Sequence, residues 1–320
     1  PPGILGIGIG GTSEKAMILA KESLSEKINM QDIIKNGPQN ETEELRLEIF
    51  NRVNALGIGA QGLGGLTTVL DVKIHEYPTH AAGKPVGMIP NCAATRHVHF
   101  VLDGSGVVDL PAPKLEDWPV IQEDNKTEVK RINLDTVSKE EIQKLRSGEN
   151  ILLSGKMLTG RDAAHKRLKD MYDAGEEFPI DLKNKFIYYV GPVDPVGDEI
   201  VGPAGPTTAT RMDKFTPFML ENVGIMGMIG KSERGQATID SIKKNKAIYL
   251  MGVGGAAYLI YKSIRQAKVI AFEDLGMEAI YEFEVEDMPV TVAVDSQGVS
   301  AHQQGPKLWK AKITEIKKQQ

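Results

Sequence analysis

The single cysteine of the chain lies close to cationic and imidazole side chains. Cys92 precedes Arg96, His97 and His99 in the stretch PNCAATRHVH. Positive charge near a thiol favours its thiolate form, which attacks carbon centres or binds metals. A lone cysteine can equally be a small apolar packing residue, because free cysteines are among the most buried residue types. The residues alone leave a nucleophile, a metal ligand and a packing role open.

Three further cations stand on glycine-bearing loops beside apolar strands. Arg161 follows the apolar stretch ILLSGKMLTG. Arg211 ends a Gly/Pro loop that also holds Thr207, and Lys231 lies in a glycine turn. A guanidinium holds a carboxylate through two parallel hydrogen bonds, and an ammonium adds a point charge. Together the cations suit a substrate with two carboxylates, although each alone would fit a surface ion pair.

A loop histidine and a glycine run are weaker signals. His80 follows a proline turn and precedes a small-residue loop, a setting that suits a site, although lone loop histidines are more often structural. Gly6, Gly8 and Gly11 satisfy G-x-G-x-x-G, the dinucleotide-binding fingerprint. No acidic residue closes a second strand about 20 residues further on. Close backbone packing is therefore the favoured interpretation, and a nicotinamide dehydrogenase is a lesser alternative.

Composition limits the class of protein. The 320 residues are 41% hydrophobic and 25% charged, which is typical of globular domains. The formal net charge of -5 argues against a nucleic-acid partner. No apolar run approaches the roughly 18 to 20 residues of a membrane span. These features predict a cytoplasmic protein with no membrane partner, and one cysteine excludes an internal disulfide.

The elements that must position these residues alternate between strands and helices, so the sequence predicts an α/β fold. The stretch 111–130 is rich in Pro and charge and predicts a linker. The closing stretch KAKITEIKKQQ is predicted to be a solvated tail. Glycines, caps and apolar periodicity indicate strands over 4–9, 68–77, 86–90, 149–155 and 185–192, and helices over 12–24, 41–57, 138–148 and 161–175. They also indicate a strand, a glycine turn and a helix over 246–263, and a strand followed by a turn over 268–276.

The sequence resembles the class I, iron-sulfur-dependent fumarate hydratases along nearly its whole length. The resemblance implies that residues 1–110 are the C-terminal part of a cluster-binding α/β domain. Residues 131–320 then form the family's swivelling β/β/α domain, with 111–130 as the linker. The motifs that carry the resemblance are PPGILGIGIGGTSEKA, GIGAQGLGGLTTVLDVKIHEYPTHAAGKPVGMIPNCAATRHVHFVLDGSG, LTGRDAAHKR, GPAGPTTATRMD and GKSERG.

The resemblance also implies roles for individual residues. Cys92 matches the last of three cysteines that hold a [4Fe-4S] cluster, whose fourth iron acts as a Lewis acid on the substrate. Thr207 is the candidate base that exchanges the C3 proton, and it needs a neighbour that lowers its pKa. The residues expected at the carboxylates of fumarate or malate are Arg161, Arg211 and Lys231, with His80 close by.

The cysteine count departs from the family pattern. The other two cluster cysteines are expected upstream of these residues, so we expect the 320 residues alone to be inactive. Family members are typically homodimers, and we expect the same here. Two alternatives stay open: a dehydratase of L(+)-tartrate or another C4 diacid, and an inactive module that binds a diacid or supports assembly.

Overall fold

The computed structural model describes residues 2–92, 95, 98–110, 129–254 and 257–319. Its strands form two sheets that, with the helices, make the mixed α/β fold that the sequence predicts. The predicted linker lies almost wholly outside the described residues. Within the described ranges, no helix has the length and apolar character needed to cross a membrane.

A three-stranded sheet forms the first part of the structure, with β1 (Gly3–Gly10) at its centre. This strand pairs in parallel with β2 (Val69–Tyr77) and antiparallel with β3 (Val86–Cys92). The central place of β1 explains its apolar sequence, because both of its edges and its faces are covered. The helices packed on this sheet are α1 (Ser13–Ser23), α2 (Met30–Asn36) and α3 (Glu41–Asn54).

The glycines of β1 allow α1 to approach the strand closely. A Cβ added at Gly6 would lie 2.2 Å from the Ala20 carbonyl oxygen, and one at Gly8 would lie 1.9 Å from the Ala16 carbonyl oxygen. Real Cβ atoms do not tolerate such distances to backbone, so the helix rests directly on the strand backbone. The G-x-G-x-x-G spacing is thereby accounted for by packing.

A seven-stranded sheet forms the second part, in the order β4-β5-β6-β7-β8-β10-β9. The strands from β4 to β8 run parallel, whereas β10 pairs antiparallel with β8, β9 and also β5. These strands are β4 (Lys130–Asn133), β5 (Asn150–Thr159), β6 (Phe186–Tyr188), β7 (Gly227–Gly230), β8 (Ile248–Gly252), β9 (Ile264–Ala271) and β10 (Ile280–Val294). The helices are α4 (Lys139–Ile142), α5 (Asp162–Asp173), α6 (Thr216–Phe218), α7 (Gln236–Asn245), α8 (Ala257–Lys262) and α9 (Ala301–Gln319).

The central parallel strands β6, β7 and β8 are buried on both faces. Phe186 and Tyr188 belong to one apolar core, and Ile187 and Tyr189 belong to a second. The second core also receives residues from α5 and α7. Successive side chains of a strand point to opposite faces, so a strand covered on both faces must be apolar at every position. Unbroken apolar runs such as KFIYYV therefore mark the centre of this sheet.

The stretch predicted to be a solvated tail continues helix α9 to Gln319, and from 310 to 318 it is exposed except at Ile313. This helix packs against the glycine-rich loop of residues 57–65. A Cβ at Gly64 would lie 2.4 Å from Cδ1 of Trp309, and a Cβ at Gly305 would lie 2.0 Å from the Leu63 carbonyl oxygen. The closing stretch buries Ile313, which is 7% exposed. The many lysines of this stretch made it read as wholly solvent-exposed, so the sequence did not predict the narrow face of α9 that contacts the loop.

Candidate active site

Four parallel strands end at one edge of the large sheet and bring their following loops together. Arg161 follows β5, Tyr189 follows β6, Lys231 follows β7 and Gly254 lies after β8. Ligands of open α/β sheets bind outside the carboxyl ends of the strands, because the loops and helix N-termini converge there. The structure thus places two of the three predicted substrate cations at the edge where such sites form.

Arg161 is held between a glycine and a carboxylate. A Cβ at Gly191 would lie 2.3 Å from its Nη1, so the guanidinium lies directly over that backbone. Its Nη2 is 3.7 Å from Oε1 of Glu278, which is too long for a hydrogen bond. Its Nε is buried and has no hydrogen-bond partner among the described residues. The guanidinium therefore keeps donors available for an anion.

Arg211 reaches the same place from the loop that follows β6. It lies in a 3-10 turn, Ala209–Met212, and its side chain is 50% exposed. Its Nη2 is 3.1 Å from Oδ2 of Asp162, the residue next to Arg161. The Arg211 side chain therefore reaches the first turn of α5, next to Arg161, although 50 positions separate the two arginines in sequence.

Thr207 and Lys231 are joined through their backbones. The Lys231 N–H donates to the Thr207 carbonyl oxygen at 3.1 Å, and the Ala209 N–H donates to the Lys231 carbonyl oxygen at 2.8 Å. The Thr207 hydroxyl donates to the Tyr189 carbonyl oxygen at 2.8 Å. A carbonyl acceptor favours the neutral hydroxyl, so a lower hydroxyl pKa must come from nearby cations.

The glycine-rich loop of the first region also reaches this edge. Oε1 of Gln61 accepts a hydrogen bond from the Gly254 N–H at 2.5 Å. A Cβ at Gly254 would lie 3.7 Å from Cδ of Lys231, so the lysine stem borders the same contact. The loop that carries Gln61 therefore supports the Lys231 side of the site, in addition to its packing against α9.

His165 lies in the core beneath Arg161 and does not face the site as a charged group. Its Nδ1 is 2.8 Å from the Arg161 carbonyl oxygen, and its ring packs edge-on against Tyr189 with centroids 5.6 Å apart. Burial lowers the pKa of His165 to about 4, against the opposing effect of the Arg161 carbonyl. The imidazole is therefore neutral near pH 7 and supports the backbone of Arg161.

His80 and Cys92 lie on the other sheet. His80 is exposed in a groove of about 1090 Å³ between the start of α1 and the loop after β2, and Lys15 and Lys84 also line this groove. The Nδ1 of His80 accepts from the Ala82 N–H at 3.1 Å. Because Nδ1 accepts this bond, Nε2 is the nitrogen that carries the proton when the ring is neutral.

Cys92 is the exposed last residue of β3, and its carbonyl oxygen accepts from the Thr95 N–H at 3.0 Å. The neighbouring Arg96 and His97 lie outside the described residues, and His99 is exposed. No group of three or more His, Cys, Asp or Glu side chains that could hold a metal ion occurs in the described part of the chain. A [4Fe-4S] cluster needs several thiolates, so these residues by themselves do not fit one; Cys92 could supply one of those thiolates.

The structure therefore brings together Arg161, Arg211, Thr207 and Lys231, and places His80 and Cys92 elsewhere. Sequence reasoning missed the carboxylates that hold the arginines. Asp162 stands directly beside Arg161 in LTGRDAAH and was available as a local signal. Glu278 lies more than 100 positions from Arg161 in the sequence, and no local pattern predicts their contact.

Comparison with known families accounts for nearly the whole chain. Residues 104–305 match the family model described as "Fumarase C-terminus". Residues 1–101 match the model described as "Fumarate hydratase (Fumerase)". The boundary between the two matches falls just before the predicted linker.

Relatives agree with the family models. The chain is 33% identical over 318 residues to an anaerobic class I fumarate hydratase of Escherichia coli, covering 95% of this chain and 57% of that protein. It is 31% identical to a putative class I fumarate hydratase of Geobacillus stearothermophilus, covering 98% and 62%. A putative L(+)-tartrate dehydratase subunit beta of Methanocaldococcus jannaschii is 32% identical over 56% of this chain and 95% of its own length.

The chain spans about half the length of the fumarate hydratases that it matches, between 46% and 62%. The similarity nevertheless runs through both sheets and includes every motif that holds a candidate site residue. The chain belongs to the class I fumarate hydratase family.

Proposed function

We propose that the chain is part of an iron-sulfur-dependent hydro-lyase that reversibly hydrates fumarate to (S)-malate. The observation that carries the proposal is that Arg161 and Lys231 follow parallel strands at one edge of the sheet, with Arg211 paired to Asp162 beside Arg161 and Thr207 hydrogen-bonded to Lys231. Fumarate carries two negative charges, whereas the two guanidiniums and one ammonium supply three positive charges, one of which Arg211 shares with the Asp162 carboxylate. Class I fumarate hydratases among the relatives support the same substrate.

The arginines have different tasks in this proposal. Arg161 keeps an unpartnered buried Nε and a long contact to Glu278, so a carboxylate can bind it without displacing a strong ion pair. Arg211 is half exposed and paired with Asp162 at 3.1 Å, so it must share or exchange that partner when substrate enters. We infer that Arg161 binds one carboxylate in the conformation it already has, whereas Arg211 must change its pairing with Asp162 to bind a carboxylate.

Thr207 is proposed to exchange the proton at C3 of the diacid. In the hydration direction its hydroxyl, which donates to the Tyr189 carbonyl in the free site, gives its proton to C3, and water then reprotonates Oγ1; in the dehydration direction the deprotonated Oγ1 takes the C3 proton. Lys231 in the adjoining segment supplies the positive charge that favours negative charge developing on Oγ1. His80 is proposed to approach the same substrate from the three-stranded sheet, which requires the two sheets to close around it.

The iron-sulfur cluster is proposed to need thiolates from beyond these 320 residues, with Cys92 as one ligand. We propose residues 1–110 and 131–320 as the two domains, because the small sheet lies within residues 3–92 and the large sheet within residues 130–294. We also propose a cytoplasmic homodimer, supported by composition and by the family resemblance. A diacid-binding module without turnover is the alternative if the longer enzyme proves inactive.

A second substrate deserves a parallel measurement. The relative named as a putative L(+)-tartrate dehydratase subunit beta aligns with 56% of this chain. Tartrate also carries two carboxylates and a hydroxyl that leaves as water, so the same cations would serve it. A pocket for fumarate and a pocket for tartrate would therefore differ in shape rather than in charge.

The test is fumarate consumption by the full-length gene product, purified and iron-reconstituted without oxygen. Tartrate dehydration is measured in parallel. We expect fumarate turnover that is lost with Cys92→Ser together with part of the bound iron, whereas Ser105→Ala in an exposed loop changes neither. Turnover of tartrate alone would favour the second candidate, and full iron content without either reaction would refute the proposed hydro-lyase.

A further inference from the structure

Arg234 is a charged residue almost wholly inside the protein, three positions after Lys231. It is 2% exposed. Its Nε donates to Oδ1 of Asp213 at 2.6 Å, and its Nη2 donates to Oγ1 of Thr216 at 2.6 Å. Its guanidinium carbon lies 4.8 Å from the ring centroid of Tyr249. A buried charge is costly unless it is paired and hydrogen-bonded, so these contacts fix the guanidinium in one place.

The partners of Arg234 connect two pieces of chain. We call residues 207–213 the threonine segment and residues 231–235 the lysine segment. Oδ2 of Asp213 accepts from the Gly235 N–H at 2.8 Å, while its other oxygen holds Arg234. One carboxylate at the end of the threonine segment thus binds both a side chain and a backbone group of the lysine segment.

The two segments are also tied along their length. The Thr210 hydroxyl donates to the Glu233 carbonyl oxygen at 2.7 Å. Nearer the strand ends, Thr207 and Lys231 share the backbone hydrogen bond of 3.1 Å. The segments therefore behave as one unit, fixed at one end by the sheet and at the other end by the Arg234–Asp213 pair.

We propose that Arg234 is a positioning residue for diacid binding, which fixes Lys231 relative to Thr207 and Arg211. The inference rests on the proposed function of these three residues. Arg234 is buried, so it acts through the two segments rather than by contact with substrate. Stability alone is a weak reason for such a pair, because apolar residues of similar volume often replace buried ion pairs without loss.

The test is a double-mutant cycle in the full-length, iron-reconstituted gene product. Arg234→Met should lower kcat/KM for fumarate about tenfold, mainly through a higher KM, because a displaced Lys231 binds the diacid less well. In a Lys231→Met background, Arg234→Met should lower kcat/KM by less than about threefold, because the lysine side chain that Arg234 positions is absent. Arg265→Met removes an exposed arginine paired with Glu286 and should leave both backgrounds unchanged.

Equal losses in the two backgrounds, or an unchanged KM, would overturn the positioning role. Where Arg234→Met does not fold, Asp213→Asn keeps the side-chain volume and should give the same non-additive pattern. Amide hydrogen exchange separates this inference from the proposed function, since it needs no turnover. Arg234→Met should speed exchange in both segments but not in β5, and unchanged exchange in the segments would refute the inference even in an inactive protein.

Discussion

A single glycine governs where the Arg161 guanidinium can lie. The hypothetical Cβ at Gly191 is 2.3 Å from Nη1 and 3.2 Å from the Met277 carbonyl oxygen. The closest atom belongs to the flexible end of a side chain, so the clash is relieved mainly by moving the guanidinium. We expect Gly191→Ala to raise the KM for fumarate roughly tenfold and to lower Tm by only about 3 °C. Steady-state kinetics beside a thermal melt checks this, and a large drop in Tm with an unchanged KM would contradict it.

The buried imidazole of His165 should make stability depend on pH. Burial lowers its pKa from 6.5 to about 4 in the folded protein. Between these values the unfolded chain binds a proton that the folded chain does not, so the free energy of unfolding falls as pH falls through that window. The expected loss between pH 7 and pH 5 is about 2 kcal/mol.

His165→Phe removes the titrating group while keeping a ring between Tyr189 and Phe215. We therefore expect the variant to lose about 2 kcal/mol less than the parent when pH is lowered from 7 to 5. Urea unfolding of both proteins at the two pH values measures the difference. Equal pH dependence in parent and variant would show that other groups cause it.

At the scale of elements, the contact between β1 and α1 depends on the absence of a side chain at Gly8. A Cβ there would lie 1.9 Å from the Ala16 carbonyl oxygen and 2.7 Å from the Ala20 nitrogen, which are helix backbone atoms. We expect Gly8→Ala to destabilise the protein by roughly 2 to 4 kcal/mol, because the whole helix must shift.

Gly83→Ala is the matched control for that substitution. The nearest atoms to its added Cβ lie 3.5 Å away, at ordinary contact distance. We expect the free energy of unfolding to change by less than about 0.5 kcal/mol. Urea unfolding measures both variants, and similar stabilities would mean that α1 does not rest on β1 as described.

At the scale of the whole molecule, α9 connects the end of the chain to the first region. Trp309 packs against Gly64 in the loop of residues 57–65, whereas its neighbour Leu308 is 61% exposed. We expect Trp309→Ala to speed amide hydrogen exchange in that loop, because the loop loses its cover. Leu308→Ala should leave the exchange unchanged, and a similar effect from both variants would refute this role of α9.

The sequence by itself determined most of the helices and strands, and it identified the residues whose side chains could bind a substrate or take part in catalysis. The predicted caps are present, since Thr12 accepts from the Lys15 N–H and Ser138 forms a capping box with Glu141. These signals are local, because a cap or a turn depends on residues within one helical turn. Apolar runs identified the buried strands, and the cations of interest stood directly after them. Motifs then sufficed to identify the family.

Only the tertiary structure decided which of those residues meet. Parallel pairing of β5 to β8 brings Arg161 and Lys231 to one edge, and Glu278 reaches Arg161 from a distant part of the chain. Burial of Arg234 and neutrality of His165 also depend on distant neighbours, since desolvation is set by everything that surrounds a group. Local sequence patterns do not reveal contacts between residues that are distant in the chain. The sequence could therefore identify candidate site residues but could not show which of them share a site.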